Sequence, residues 1–122
     1  MSEAKIMIVD DDRTTTSLLK TLLELDDYEV LTVARGMDVI PLAETEMPDV
    51  ILMDYHLADI SGLDVLKDIR VHATLSKIAI IIASGMDMRD EVLSAGANDF
   101  ILKPFDPSLL PEKFQAVLDK SV

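Results

Sequence analysis

Ile6-Met7-Ile8-Val9-Asp10-Asp11-Asp12 (IMIVDDD, residues 6–12) sets four apolar residues directly against three carboxylates. The apolar part does not alternate with polar residues, as it would in a strand with one wet face. It is rich in β-branched side chains and suits a parallel strand covered on both sides. The acidic triplet then marks the strand's C-terminal end. Further runs follow at Val30–Val33, Val50–Met53, Ile78–Ala83 and Phe100–Leu102. Their starts lie about two dozen residues apart, which is room for a crossover helix and two loops.

The intervening stretches read as amphipathic helices. Leu18, Leu19, Leu22, Leu23 and Leu25 cluster at helical spacing after the first run, as do Leu63, Leu66 and Ile69 after the third. Leu110, Phe114, Val117 and Leu118 form the last helix, with Ser108 as a candidate cap. Pro41 is tolerated only in a first turn, so the second helix is expected to begin near Asp38 or to be kinked. The fourth helix, between Met86 and Ala95, is short. Strand and helix thus alternate five times, which predicts an α/β fold built on a parallel sheet.

The 122 residues suffice for one domain, residues 1–122, with a core of its own. Twenty-three acidic residues against 11 basic ones give a formal net charge of −12. That balance argues against direct binding to nucleic acid or to an anionic membrane. With no cysteine, thiolate catalysis, disulfides and Cys-ligated zinc are excluded. No basic-plus-apolar leader or membrane span is visible, and a cytoplasmic location is expected.

Ligands of open parallel sheets bind beyond the C-terminal ends of the strands. There the first run delivers Asp10, Asp11 and Asp12, the third Asp54, the fourth Ser84 and Gly85, and the fifth Lys103 and Pro104. Carboxylates gathered in one pocket repel one another unless a cation intervenes. A hard divalent ion with oxygen ligands resolves this, and Mg²⁺, which keeps waters and accepts phosphate oxygens, suits the set. Ser84 and Lys103 then become donors to a phosphoryl group, and an Asp carboxylate can act as nucleophile to form an aspartyl phosphate.

IMIVDDD (6–12), VILMDYHL (50–57), Gly62, IIIASG (80–85) and GANDFILKPF (96–105) together resemble the response-regulator receiver domain over essentially the whole chain. The resemblance implies a three-layer α/β/α sandwich, (βα)5 and flavodoxin-like or CheY-like, with a five-stranded parallel sheet of order 2-1-3-4-5. It implies Asp54 as phosphoacceptor. Asp10, Asp11, Asp54 and the backbone carbonyl of His56 would be Mg²⁺ ligands, with Asp11 binding directly and Asp10 mostly through water. Ser84 and Lys103 would contact the phosphoryl group, Gly85 would leave room for backbone approach, and Lys103–Pro104 would be cis. Phe100 would be the switch aromatic, turning inward as Ser84 moves toward the phosphoryl group.

The implied donor is a histidine kinase or histidine phosphotransfer protein. The implied output surface is the fourth helix, fifth strand and fifth helix, acting on a downstream effector or fused output domain that the sequence does not name. A receiver catalyses its own phosphorylation and dephosphorylation and is not a conventional enzyme. The His56 side chain, two residues beyond Asp54, is expected to influence hydrolysis of the phosphoryl group.

Two departures stand out. Ala58 occupies a position where similar domains often carry Pro. The Ser84-to-Lys103 interval is about one helical turn short, roughly 3–4 residues, and this places the deficit between Met86 and Ala95. Asp10–Thr14 also fits the D-x-D-x-T nucleophile pattern of haloacid-dehalogenase-type phosphatases, with Asp10 as nucleophile and Asp12 as general acid. That reading leaves Asp54 unexplained and lacks the later acidic pair such phosphatases need.

Overall fold

The computed structural model describes residues 4–120. Five strands form one parallel sheet: β1 (Lys5–Val9), β2 (Glu29–Val33), β3 (Val50–Asp54), β4 (Ala79–Ser84) and β5 (Asp99–Leu102). Their order is 2-1-3-4-5, with all neighbours parallel. The helices between and after them are α1 (Arg13–Leu25), α2 (Val39–Glu46), α3 (Gly62–Arg70), α4 (Arg89–Ser94) and α5 (Leu110–Lys120).

The central strands β1, β3 and β4 are buried on both faces, which explains their unbroken apolar runs, whereas the edge strand β2 leaves Glu29 and Thr32 exposed. Side chains of a strand alternate between faces. Ile6 and Ile8 of β1 therefore join Leu19 and Leu23 of α1 with Leu110, Phe114 and Val117 of α5. Met7 and Val9 face the other way, onto Val39 and Ala43 of α2, Val65, Leu66 and Ile69 of α3, and Val92 of α4. Two helices cover one face and three the other, giving the expected three layers.

Local chemistry sets the helix ends. Asp12 caps α1, its carboxylate accepting from the N–H groups of Thr14 and Thr15. Pro41 lies in the first turn of α2, which a 3₁₀ turn at Gly36–Asp38 leads into. Ser61 caps α3. At α5 the expected cap, Ser108, is replaced by Asp106, whose carboxylate accepts from the Ser108 N–H at 2.9 Å. Pro107 fixes the first residue of a 3₁₀ turn there, and Ser108 falls inside it.

The leucine cluster of α1 divides in the same physical way. Leu19 and Leu23 are buried, whereas Leu18, Leu22 and Leu25 lie on the solvent side. Among the described residues no helix is long and apolar enough to cross a membrane.

Candidate functional site

The site lies where the sheet order reverses, between the C-terminal ends of β1 and β3. Asp10 follows β1 immediately and its N–H donates to the Val33 carbonyl at 3.0 Å, prolonging the ladder toward β2. Asp54 is the last residue of β3. Asp10 is buried, Asp54 half-buried and Asp11 exposed, and one carboxylate oxygen from each lies within 4.8 Å of the others. Gly62, the first residue of α3, packs against this edge, where a Cβ would overlap the Asp54 carbonyl oxygen.

Lys103 enters from the end of β5. Its Nζ donates to Asp10 Oδ2 at 2.9 Å and pairs with Asp54 Oδ2 at 3.4 Å. The other oxygen of each carboxylate meets backbone: Asp12 N–H donates to Asp10 Oδ1 at 3.0 Å, and His56 N–H to Asp54 Oδ1 at 3.3 Å. A carboxylate has about four acceptor sites, so lone pairs remain for a cation and for a reacting phosphorus. Burial pushes the Asp54 carboxyl above its usual range, against the pull of the Lys103 ammonium and the His56 N–H, while the Asp10 charge adds to the rise. For Lys103 burial works downward, but the bonds and charges of Asp10 and Asp54 outweigh it and hold the ammonium above its usual range.

Ser84 ends β4, fully buried, its Oγ accepting from the Met86 N–H at 3.1 Å. Its carbonyl accepts from the Lys103 N–H at 2.8 Å, which fixes the serine and lysine strand ends to each other. The Lys103–Pro104 bond is cis, as expected. A Cβ on Gly85 would meet nothing within 4 Å, so its backbone is open to approach. Gly85 and Lys103 also line a groove of about 580 Å³ between α1 and the β5–α5 loop, together with Leu18, Pro104, Phe105 and Pro107.

The donor set fits a hard divalent cation. It consists of oxygens alone, from Asp10, Asp11 and Asp54, and it concentrates negative charge that one lysine only partly offsets. Asp12 does not belong to it. Its oxygens are used by Thr14 and Thr15 at the helix cap, and these hydrogen bonds hold its carboxyl below the usual range. That use also leaves it unsuited to the general-acid role of the phosphatase pattern.

Two features differ from what the sequence suggests or hides. Phe100 is turned inward here, with 2% of its surface exposed. The loop after Asp54, where Ala58 stands, is held by its neighbours: Asp59 accepts from the Gly36 and Met37 N–H groups, both at 2.9 Å, and Gly62 N–H donates to the Tyr55 carbonyl at 2.8 Å. Asp59 escapes a reading by strand ends because its partners lie more than twenty residues upstream, in another loop.

Residues 6–115 match the family described as the response regulator receiver domain. The alkaline phosphatase synthesis transcriptional regulatory protein PhoP of Bacillus subtilis (strain 168) is 34% identical over 119 residues, covering 96% of this chain and 49% of PhoP. The transcriptional regulatory protein CpxR of Escherichia coli (strain K12) is 36% identical over 120 residues, covering 96% of this chain and 50% of CpxR. The chain thus spans about half the length of these curated relatives. Among solved structures, the receiver domain of the sensor histidine kinase PA1611 from Pseudomonas aeruginosa PAO1 superimposes with a TM-score of 0.86 at 27% identity, over 97% of this chain and 99% of that one. That structure holds a magnesium ion coordinated in its active site cleft.

Proposed function

This chain belongs to the response-regulator receiver domain family, and from that premise we propose that it accepts a phosphoryl group on Asp54 and signals through the face formed by α4, β5 and α5. As a receiver domain it is not a conventional enzyme. The proposed donor is a phosphohistidine on a histidine kinase or a histidine phosphotransfer protein. An Asp54 oxygen attacks phosphorus, the P–N bond breaks, and its electron pair returns to the imidazole. Later attack by water breaks the P–O bond, restoring the carboxylate and releasing inorganic phosphate.

The observation that carries this reading is the position of Lys103 Nζ, 2.9 Å from Asp10 and 3.4 Å from Asp54. An ammonium bridging the acceptor and its acidic neighbour is placed to offset charge on an arriving phosphoryl group. Asp10, Asp11, Asp54 and the His56 carbonyl are the proposed ligands of Mg²⁺, which when bound neutralises phosphoryl oxygens. Ser84 is the proposed partner of a phosphoryl oxygen: its hydroxyl has a proton to donate while its lone pair holds the Met86 N–H. Gly85, with open space where a Cβ would stand, is the proposed point of backbone approach. The donor is proposed to rest in the groove beside Lys103, with Leu18 and Leu22 as apolar contacts, because that groove opens onto the acceptor edge. The proposed setting is the cytoplasm, in keeping with a chain without cysteine.

The test is intact-mass measurement after incubation with Mg²⁺ and acetyl phosphate, alongside a phosphohistidine donor. One added phosphoryl group is expected in the wild type and none in Asp54→Asn. An adduct that survives Asp54→Asn but vanishes in Asp10→Asn overturns the reading in favour of the phosphatase pattern. His56 is exposed, its ring tilted over Tyr55 with centroids 4.8 Å apart. His56→Ala is expected to change the rate of phosphoryl loss several-fold, and an unchanged rate removes the role proposed for its side chain.

A further inference from the structure

α4 is weakly anchored by its own backbone. It runs six residues, Arg89–Ser94, buries only Val92, and receives no side-chain hydrogen bond from its N-cap residue, Met88. A helix this short does not persist through its own hydrogen bonds. The Asp87 carboxylate accepts from the Arg89 N–H at 3.2 Å, and two side chains of the first turn itself tie it to the rest of the fold. Arg89 NH2 donates to the Phe100 carbonyl at 3.2 Å, its guanidinium lies 5.7 Å from the Phe100 ring centroid, and NH1 pairs with Asp99 at 3.5 Å. Glu91 Oε1 accepts from the Tyr55 hydroxyl at 2.9 Å.

The second tie reaches the residue next to Asp54. Tyr55 is fixed at its base, since its N–H donates to the Ala83 carbonyl and its own carbonyl accepts from the Gly62 N–H, both at 2.8 Å. Its ring packs on the core beneath α2, α3 and α4. It is thus a lever with a clamped root and a tip on α4. Phosphorylation touches the root from two sides. Asp54, one residue back, gains about one further negative charge. Ala83, which holds the Tyr55 N–H, immediately precedes Ser84, the proposed partner of the phosphoryl oxygen.

We propose that the Tyr55–Glu91 hydrogen bond couples the phosphoacceptor to α4, holding the helix at rest and releasing it when Asp54 is phosphorylated. This rests on the reading of Asp54 as acceptor, and it adds a route to α4 that does not pass through Phe100. Phe100 is buried in this structure, with 2% of its surface exposed. The freed surface is the exposed side of α4, where Leu93 lies.

The test is amide NMR of the full chain, comparing wild type with and without Mg²⁺ and acetyl phosphate to Tyr55→Phe, Glu91→Ala and the double variant without phosphodonor. The amides of Arg89–Ala95 in Tyr55→Phe are expected to move from their resting positions toward those of the phosphorylated wild type. The ratio of released to held helix should rise about threefold to fivefold, the effect of one solvent-exposed hydrogen bond. Glu91→Ala should do the same, and the double variant no more, because both remove one bond. Tyr55→Phe removes a single oxygen and keeps the ring in the core. A wild type that takes the phosphoryl group while Tyr55→Phe leaves α4 at rest, or singles whose effects add in the double variant, overturn the proposal alone. A wild type that takes no phosphoryl group from either donor removes the acceptor reading and this proposal together.

Discussion

At Asp54, burial raises the carboxyl while Lys103 and the His56 N–H oppose it, and the net direction is upward. The folded chain therefore holds a proton on this group more tightly than the unfolded chain does. In metal-free protein the ionised form subtracts from stability above the folded pKa. That deficit shrinks as pH falls through it and is gone below the unfolded carboxylate range. Asp54→Asn is accordingly expected to raise Tm at pH 7 by about 2–4 °C without divalent metal, and the gap should close below about pH 4. Calorimetry across pH checks this, and a lower Tm for the variant at pH 7 contradicts it. The opposite sign holds at Asp12, Asp59 and Asp106, whose hydrogen bonds to nearby N–H and hydroxyl groups lower their carboxyls. What they contribute is present above the unfolded carboxylate pKa and lost as pH falls through the folded values. Asp10, Asp11, Asp54, Ser84 and Lys103 were legible in the sequence because each follows an apolar run, and parallel strands bring such positions to one edge. Tyr55 and Glu91 were not, since their contact spans 36 residues and depends on the path of the loop before α4.

Among the elements, legibility follows how strongly a local rule constrains the chain. Pro41 cannot donate within a helix, so it located the start of α2, and the short interval before Lys103 located a short α4. Periodicity alone did not separate the buried from the exposed leucines of α1, because all of them are apolar and only packing decides. Arg70, at the end of α3, gave no signal in the sequence, yet it ties three elements. Its Nε donates to the Gly96 carbonyl at 2.8 Å, NH1 to the Ser76 and Ile78 carbonyls at 3.0 and 2.8 Å, and NH2 to Asn98 Oδ1 at 2.9 Å. Asn98 Oδ1 also accepts from the Ile80 N–H, so α3 is fastened to the beginnings of β4 and β5 together. Gly96, at φ +111° just past α4, leaves the space this requires, since a Cβ there would sit 2.9 Å from Arg70 Cγ. A lysine keeps the charge but cannot reproduce the planar fork. Arg70→Lys is expected to lower unfolding stability by about 2 kcal/mol in urea titration, because partly buried carbonyls lose their donors. A loss under about 0.5 kcal/mol, the usual range for a surface change, rules the clamp out.

For the whole molecule, continuous apolar runs at crossover spacing determine a parallel sheet with helices on both faces, but not the order of its strands, which came with the family resemblance. The order matters, because a chain running out from β1 to β2 and back past β1 to β3 opens a crevice at the reversal, and Asp10, Asp11 and Asp54 stand there. This concentrates locally a charge imbalance that the chain also carries globally, −12 overall. The two scales respond differently to ions. Diffuse self-repulsion is screened by any salt, with a Debye length of about 10 Å at 0.1 M. A site that holds a divalent ion gains stability by mass action and only from that ion. NaCl is therefore expected to raise Tm gradually in the wild type and in Asp11→Asn alike. MgCl₂ at about 5 mM adds only about 15 mM of ionic strength, well below what screening requires. It should nonetheless raise the Tm of the wild type beyond a NaCl control of matched ionic strength, and leave Asp11→Asn at the control value. Equal shifts from the two salts in the wild type would mean that the acidic crevice responds as diffuse charge and not as a binding site.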